Sequence, residues 1–303
     1  MARRRKPRAR RRGIFIQVLV LFVIGVALAT VLFPKRSPRR VVHHTLPSAT
    51  EPPASATLHP SPTVTPAAPS SAPPTPSESP TATGARPRVA IIIDDCGQWP
   101  GIERGYIALP IALTMSVMPH VRFTAGIAEA ASTAGKGVML HLPMEPLSHV
   151  NPGAGKITTA MSDAEIIAQT EDDLAQVPLA KGVNNHEGSA ASADPRVMRD
   201  VIGVIKGRNL FFVDSRTSAA SIAAQTASAA GIPTASRDVF LDNREDVAYS
   251  EGMLEQTVRI AKQRGFAIAI GHPRATTLAA LAHFYPTMQA EGIDFVLASD
   301  LAR

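Results

Sequence analysis

A single cysteine, Cys96, stands among 303 residues. That excludes an intramolecular disulfide and leaves stability to the burial of apolar surface. The thiol itself reads as a small buried residue rather than a ligand or nucleophile. Ser189 and Ser192 lack the G-x-S-x-G turn that exposes a nucleophilic hydroxyl, which excludes a serine esterase. The compact zinc signature H-E-x-x-H is absent too, so any metal site must be gathered from separate segments. Positive charge is also missing where the chain can fold. The whole sequence carries +6, but from Arg88 onward 18 Lys and Arg stand against 23 Asp and Glu, a net charge of −5. This balance argues against nucleic acid as a partner of the domain.

What is present divides the chain into four parts. Residues 1–13 form a basic tail with eight Lys and Arg, and residues 14–33 are an almost unbroken apolar stretch of 20. Such a stretch is long enough to cross about 30 Å of hydrocarbon. Eight charges before it against four after it, at Lys35, Arg36, Arg39 and Arg40, predict a cytoplasmic N-terminus and an exported remainder, with residues 14–33 as an uncleaved transmembrane anchor. Residues 34–87 hold 14 of the 26 prolines among many Ser, Thr and Ala, the composition of a solvated, disordered tether. Residues 88–303 remain as one domain, large enough to bury a substantial core.

Within that domain, short apolar runs end again and again in Asp or His. The run over 89–93 stops at Asp94 and Asp95, and others occupy 111–117, 137–141, 182–186, 210–214, 239–242, 266–272 and 295–300. Helical segments are expected over 162–176, 195–207, 219–230, 250–264 and 276–290. Ser162 with Glu165 makes a capping box, Asp194-Pro195 a helix start, and Gly207, Gly231, Gly265 and Gly292 act as stops. Strand and helix alternate, which predicts a parallel sheet. Seven or eight strands favour an α/β fold of the TIM-like (β/α) barrel type, distorted, over a doubly wound open sheet. In either, side chains at the C-terminal ends of the strands meet at one mouth. Asp95, His141, His186, Asp214, Asp242 and His272 are placed there. Asp94 and Asp95 alone read equally well as a helix cap with a solvated neighbour, but several acids and imidazoles at the same end point to a shared site.

The stretches IIIDDCG (91–97), HLPMEP (141–146), GVNNHEGS (182–189), FVDSRTS (212–218), VFLDN (239–243) and IGHP (270–273) together resemble the divergent polysaccharide deacetylase family, relatives of the NodB-like carbohydrate esterases. The resemblance covers essentially all of residues 88–303. It implies a distorted β/α barrel of about seven strands and a metal-dependent hydrolase of amide bonds that removes N-acetyl groups from an amino-sugar polymer of the cell envelope. It makes Asp94 the general base, Asp95 and His141 metal ligands, and His272 the acid that protonates the leaving amine. The family's usual His-x-x-x-His motif is broken here, because position 145 is Glu. His186 is the preferred third ligand, then Glu145, then His120. Zinc is favoured by the His and Asp donors, although nickel, cobalt and manganese accept similar sets. Asn185, Asp214, Ser215 and Asp242 are candidates for binding substrate or orienting an imidazole. Asn184 and Asn185 equally suit a tight turn, Ser215 a helix cap, and Trp99 the edge of the core rather than a stacked sugar. The broken motif also motivates an alternative: an inactive glycan-binding or envelope-organising protein on the same fold.

Overall fold

A computed structural model describes residues 85–303. The basic tail, the expected anchor over 14–33 and nearly all of the tether lie outside the described residues. Among those that are described, no helix is long and apolar enough to cross a membrane.

The domain is a curled parallel sheet with helices packed on its outer face. Its strands are β1 (Arg88–Cys96), β2 (Thr114–Val117), β3 (Gly137–Met144), β4 (Gly182–Glu187), β5 (Phe211–Asp214), β6 (Thr234–Ser236), β7 (Val239–Phe240), β8 (Phe266–Gly271) and β9 (Asp294–Val296). Their order across the sheet is β6-β5-β4-β3-β2-β1-β8-β7. β9 pairs with Arg88–Ala90 of β1, below the point where β2 begins to pair at Ile92. The two edge strands, β6 and β7, are consecutive and only two residues apart. One extended segment thus serves β5 with its first half and β8 with its second, and the sheet curls round to it. This arrangement is consistent with the expected NodB-like barrel.

The helices are α1 (Pro100–Ile107), α2 (Thr124–Thr133), α3 (Asp163–Gln176), α4 (Pro195–Gly207), α5 (Ala223–Ala229), α6 (Val247–Arg264) and α7 (Ala275–Ala290). The expected capping box forms at α3, where Ser162 and Glu165 satisfy each other's backbone N–H. Asp194 caps α4 by accepting from Arg196 and Val197, and α6 ends at Gly265 in the left-handed conformation that glycine adopts at no steric cost. Three expected strands are clearly shorter than their apolar runs, the 239–242 run pairing only at Val239–Phe240. Only Thr114–Val117 of the 111–117 run pairs, and the last run gives β9 and then a single 3₁₀ turn, Ala298–Asp300.

Both faces of the sheet are buried, which is why β1 reads as a continuous apolar run rather than an alternation. Val89, Ile91 and Ile93 pack outward against helical residues such as Tyr106, Ile127 and Leu281. Ala90, Ile92, Met139, Val213, Ile268 and Ile270 point inward, where Ala298 and Leu301 join them. Fully burying side chains of this size contributes about 1.5–3 kcal/mol each. One step further along each strand, the inward positions change from apolar to polar: Asp94 after Ile92, His141 after Met139, Ser215 after Val213, His272 after Ile270. That layer is the mouth.

Candidate metal centre

Adjacent residues of a strand normally face opposite sides, so two neighbouring acids should not share a mouth. β1 breaks that rule with a bulge. Ile93 pairs with Met115 and Cys96 with Val117, so Asp94 and Asp95 together oppose the single residue Ser116. Asp95 takes a left-handed backbone, φ 55°, which an Asp tolerates better than most side chains. Asp94 continues the inward alternation, and the bulge turns Asp95 to the same side.

Three donor atoms converge there. Asp95 Oδ1 lies 2.9 Å from His186 Nδ1 and 3.2 Å from His141 Nε2, and the two ring nitrogens are 3.1 Å apart. Ligands about 2.1 Å from a common ion are separated by about 3.4 Å in tetrahedral and about 3.0 Å in octahedral geometry. The triangle fits either within a few tenths of an ångström. Asp95 Oδ1 is buried and, among the described residues, has no hydrogen-bond donor besides the two imidazoles, so the lone pairs of all three atoms suit a shared cation. The donor set, two imidazole nitrogens and one carboxylate oxygen, suits zinc and its neighbours.

Asn184 holds the set from behind. Its Oδ1 accepts from His141 Nδ1 at 2.9 Å and from the Ser116 hydroxyl, while its Nδ2 donates to Asp94 Oδ1 at 2.8 Å and to Ser215 Oγ at 3.0 Å. With Nδ1 carrying the proton, His141 presents the Nε2 lone pair to the centre. Burial works to depress the His141 pKa, but Asp94 and Asp95 outweigh it and raise it to about 9. Asp95 responds in the opposite sense: burial works to raise it, yet the two imidazoles hold it well below the usual carboxylate range. Such a centre has a strong demand for positive charge, whether a proton or a metal ion supplies it. Burial raises Asp94, with the charge of Asp95 adding to the effect.

At the end of β8, the strand next to β1, Asp242 braces His272. Its carboxylate accepts from His272 Nδ1 at 2.9 Å, from the His272 backbone N–H at 2.7 Å and from Thr277 Oγ1 at 2.9 Å. His272 Nε2 is left facing the centre, 3.9 Å from Asp95 Oδ2. Burial depresses this imidazole, but Asp242 and Asp95 raise it overall.

The other expected residues fall elsewhere. Glu145 spends its carboxylate on the Thr159 backbone N–H and hydroxyl, both at 2.7 Å, outside the three-donor cluster. His120 pairs with Asp172 and Asp173, also apart from it. Asp214 follows the inward Val213 and so turns away, accepting from Arg216 N, Ser221 Oγ and Ala224 N as a loop and helix-start brace. Asn185 likewise ties strand ends together, accepting from Ser215 N and donating to the Glu187 carbonyl. Ser215 joins the centre through Asn184 rather than capping a helix. Trp99, expected at the core edge, is 51 % exposed instead. It lines a cleft of about 740 Å³ shared with Asp95, Ile102, Glu245, His272 and Arg274. Sequence reasoning missed the bridging role of Asn184, which its position two residues before His186 on one strand face would have signalled. It also missed Arg237, whose guanidinium donates to the carbonyls of Ser215 and Arg216 and for which the sequence carries no signal.

A curled parallel β/α domain with an Asp-His-His cluster at its strand ends is the class the geometry defines. Comparison with known proteins narrows it. The model of the divergent polysaccharide deacetylase family matches residues 91–302, and the chain belongs to that family. It is 33 % identical over 197 residues to an uncharacterized protein of Haemophilus influenzae, covering 65 % of this chain and 70 % of that one. It is 32 % identical over 214 residues to YibQ of Escherichia coli, covering 71 % and 67 %. Among solved structures, ATU2773 of Agrobacterium tumefaciens is similar with a TM-score of 0.68 at 25 % identity, over 74 % of this chain and 92 % of that one.

Proposed function

We propose that the domain is a metal-dependent hydrolase that removes N-acetyl groups from an amino-sugar polymer of the cell envelope, and that Asp95, His141 and His186 hold the metal. The observation that carries this reading is the three-atom cluster, with the buried Asp94 and the Asp242-braced His272 beside it at the ends of adjacent strands. When bound, a divalent ion such as zinc would lower the pKa of water and polarise the acetyl carbonyl. The chain's own residues divide the proton work. Asp94 Oδ1 is held by Asn184, which leaves Oδ2 as the oxygen that accepts a proton from water. A sugar amine leaves poorly unless protonated, and His272 holds the needed proton at Nε2, because Nδ1 is committed to Asp242. Net hydrolysis consumes one water and yields acetate and the free amine.

The alternative of a glycan-binding protein without turnover was motivated by Glu145 in place of a histidine. With His186 as the proposed third ligand, that substitution would not leave the donor set short. The apolar stretch over 14–33 and its basic flank support an anchored, exported location, where such a polymer is met. The test is acetate release from N-acetylated amino-sugar polymers by the full chain, before and after chelation and with zinc restored. Asp94→Asn and His272→Ala should each lower turnover by about 10²- to 10⁴-fold. Release that is indifferent to chelation and to both substitutions refutes the reading.

A further inference from the structure

The chain has one tryptophan, and it is spent on the surface. Trp99 stands four residues past Asp95, and its backbone is unusually well fixed for a loop residue. Oε1 of Glu103, a fully buried carboxylate, accepts the N–H groups of Gly97, Gln98 and Trp99 at 3.0, 3.0 and 2.7 Å. Pro100 then opens α1 and restricts the residue before it. Gly97, at φ 105°, makes the turn, and a Cβ there would meet Val121 Cγ2 at 2.9 Å. The backbone that carries the indole is thus pre-set, and the ring stands half exposed. An amphipathic ring on a fixed backbone is what a binding site uses at low entropic cost.

Its direction from the centre matters. The cleft that Trp99 lines reaches Asp95 and His272 but not Asp94, His141 or His186, so it opens on the side of the proposed acid. In amide hydrolysis the sugar is the leaving group, and its nitrogen must face that acid to receive the proton. The saccharide therefore lies on the His272 side, where the cleft is. Arg274 and Glu245, 3.7 Å apart, supply polar groups at the rim.

Resting on the deacetylase reading above, we infer that Trp99, positioned by Glu103, is a saccharide-binding platform: a pyranose ring stacks its C–H face on the indole and turns its hydroxyls to Arg274 and Glu245. This subsite selects amino-sugar polymers over small acetamides, because it engages the leaving group and not the acyl group.

The lone tryptophan makes the test direct, since all indole emission comes from the platform. The full chain carrying Asp94→Asn, which separates binding from turnover, is titrated with a tetramer of N-acetylglucosamine. A saturable shift or quench of the emission is expected, with protection from acrylamide. In the otherwise native chain, Trp99→Ala should raise KM for the tetramer about tenfold with a much smaller effect on kcat, and Trp99→Phe should recover most of the loss. Glu103→Gln, which keeps an acceptor oxygen, should do less harm to KM than Glu103→Ala. Acetate release with no emission change and an unaltered KM in Trp99→Ala overturns the platform and leaves the deacetylase reading standing. An emission change without acetate release supports the platform and favours the glycan-binding alternative. Absence of both overturns the two together.

Discussion

Asn184 offers the sharpest separation between holding a metal and using it. Its side chain is fully buried and spends both ends of one amide: two acceptances, from His141 Nδ1 and Ser116, and two donations, to Asp94 and Ser215. Asn184→Ala removes all four. The His141 ring then loses the partner that fixes its tautomer, and losses of this kind lower metal affinity by about 10- to 100-fold, or about 1.4–2.7 kcal/mol. Buried polar groups left unpaired cost about 1–3 kcal/mol of stability, so the thermal midpoint should fall by several degrees without loss of the fold. Asn184→Asp behaves differently. The new carboxylate still accepts from His141 and Ser116, so metal affinity should stay within a few-fold of the native chain. It cannot donate to Asp94, however, and two carboxylates at 2.8 Å must share a proton. The base is then occupied and acetate release should collapse. Competition against a chromogenic zinc chelator measures affinity, and circular dichroism against temperature measures the fold. Equal zinc affinities for Asn184→Ala and Asn184→Asp, with both variants folded, would refute the idea that Asn184 acts by orienting His141.

Three further outcomes follow from the same geometry. His186→Ala should abolish stoichiometric zinc binding while Glu145→Gln leaves it intact; the reverse result in a metal titration would make Glu145 the third ligand. Asp242→Asn removes the carboxylate that helps hold the His272 pKa up, so the descending, alkaline limb of the kcat profile for acetate release should move to lower pH; an unmoved limb would separate His272 from the proton step. Asp173 is raised to about 7 by burial, against the hydrogen bonds from Gln169 and His120. Its folded form keeps a proton that the unfolded chain has already lost, so this group destabilises the fold progressively as pH rises from the ordinary carboxylate range through about 7. The thermal midpoint of Asp173→Asn relative to the native chain should therefore rise with pH over that window, and a constant difference would show that the group does not titrate there.

Much of the fold was legible because burial on both faces writes a plain signal. The run over 89–93 has no alternation because helices cover one side and the sheet interior fills the other. The capping box at Ser162 and the cap at Asp194 marked α3 and α4 for the same local reason that they form. α1 and α2 carried no such mark. Trp99 and Phe123 stand at their N-caps with no side-chain cap, so only Pro100, at the first position of α1, signalled a start. β7 was expected within the run over 239–242, but β6 was not, because three half-buried residues without an apolar run pair with β5 only once the sheet has curled. Period-2 reasoning, carried one step further, would have turned Asp214 away from the mouth, since Val213 faces in. The bulge was beyond reach, because nothing in IIIDDCG announces that Asp95 takes a left-handed backbone.

His186 as the proposed third ligand would leave the site whole despite the broken motif. A His-x-x-x-His pattern starting at His141 would put its second imidazole at position 145, in the loop just past the end of β3 at Met144. Here that loop is committed elsewhere: the Glu145 backbone N–H donates to Ile157, its carbonyl accepts from Ala190 and Ala191, and its carboxylate fixes Thr159. The neighbouring strand supplies what is missing. His141 and Asn184 are direct partners in the β3–β4 register, and His186 lies two residues further along the same inward face, about 6.6 Å up the strand. One alternation on β4 therefore delivers the brace at the level of His141 and a second imidazole just above it. Two strands in fixed parallel register hold a ligand set more rigidly than a strand and a loop. If His186 ligates as proposed, a histidine at position 145 is redundant, and Glu145 serves the loop instead.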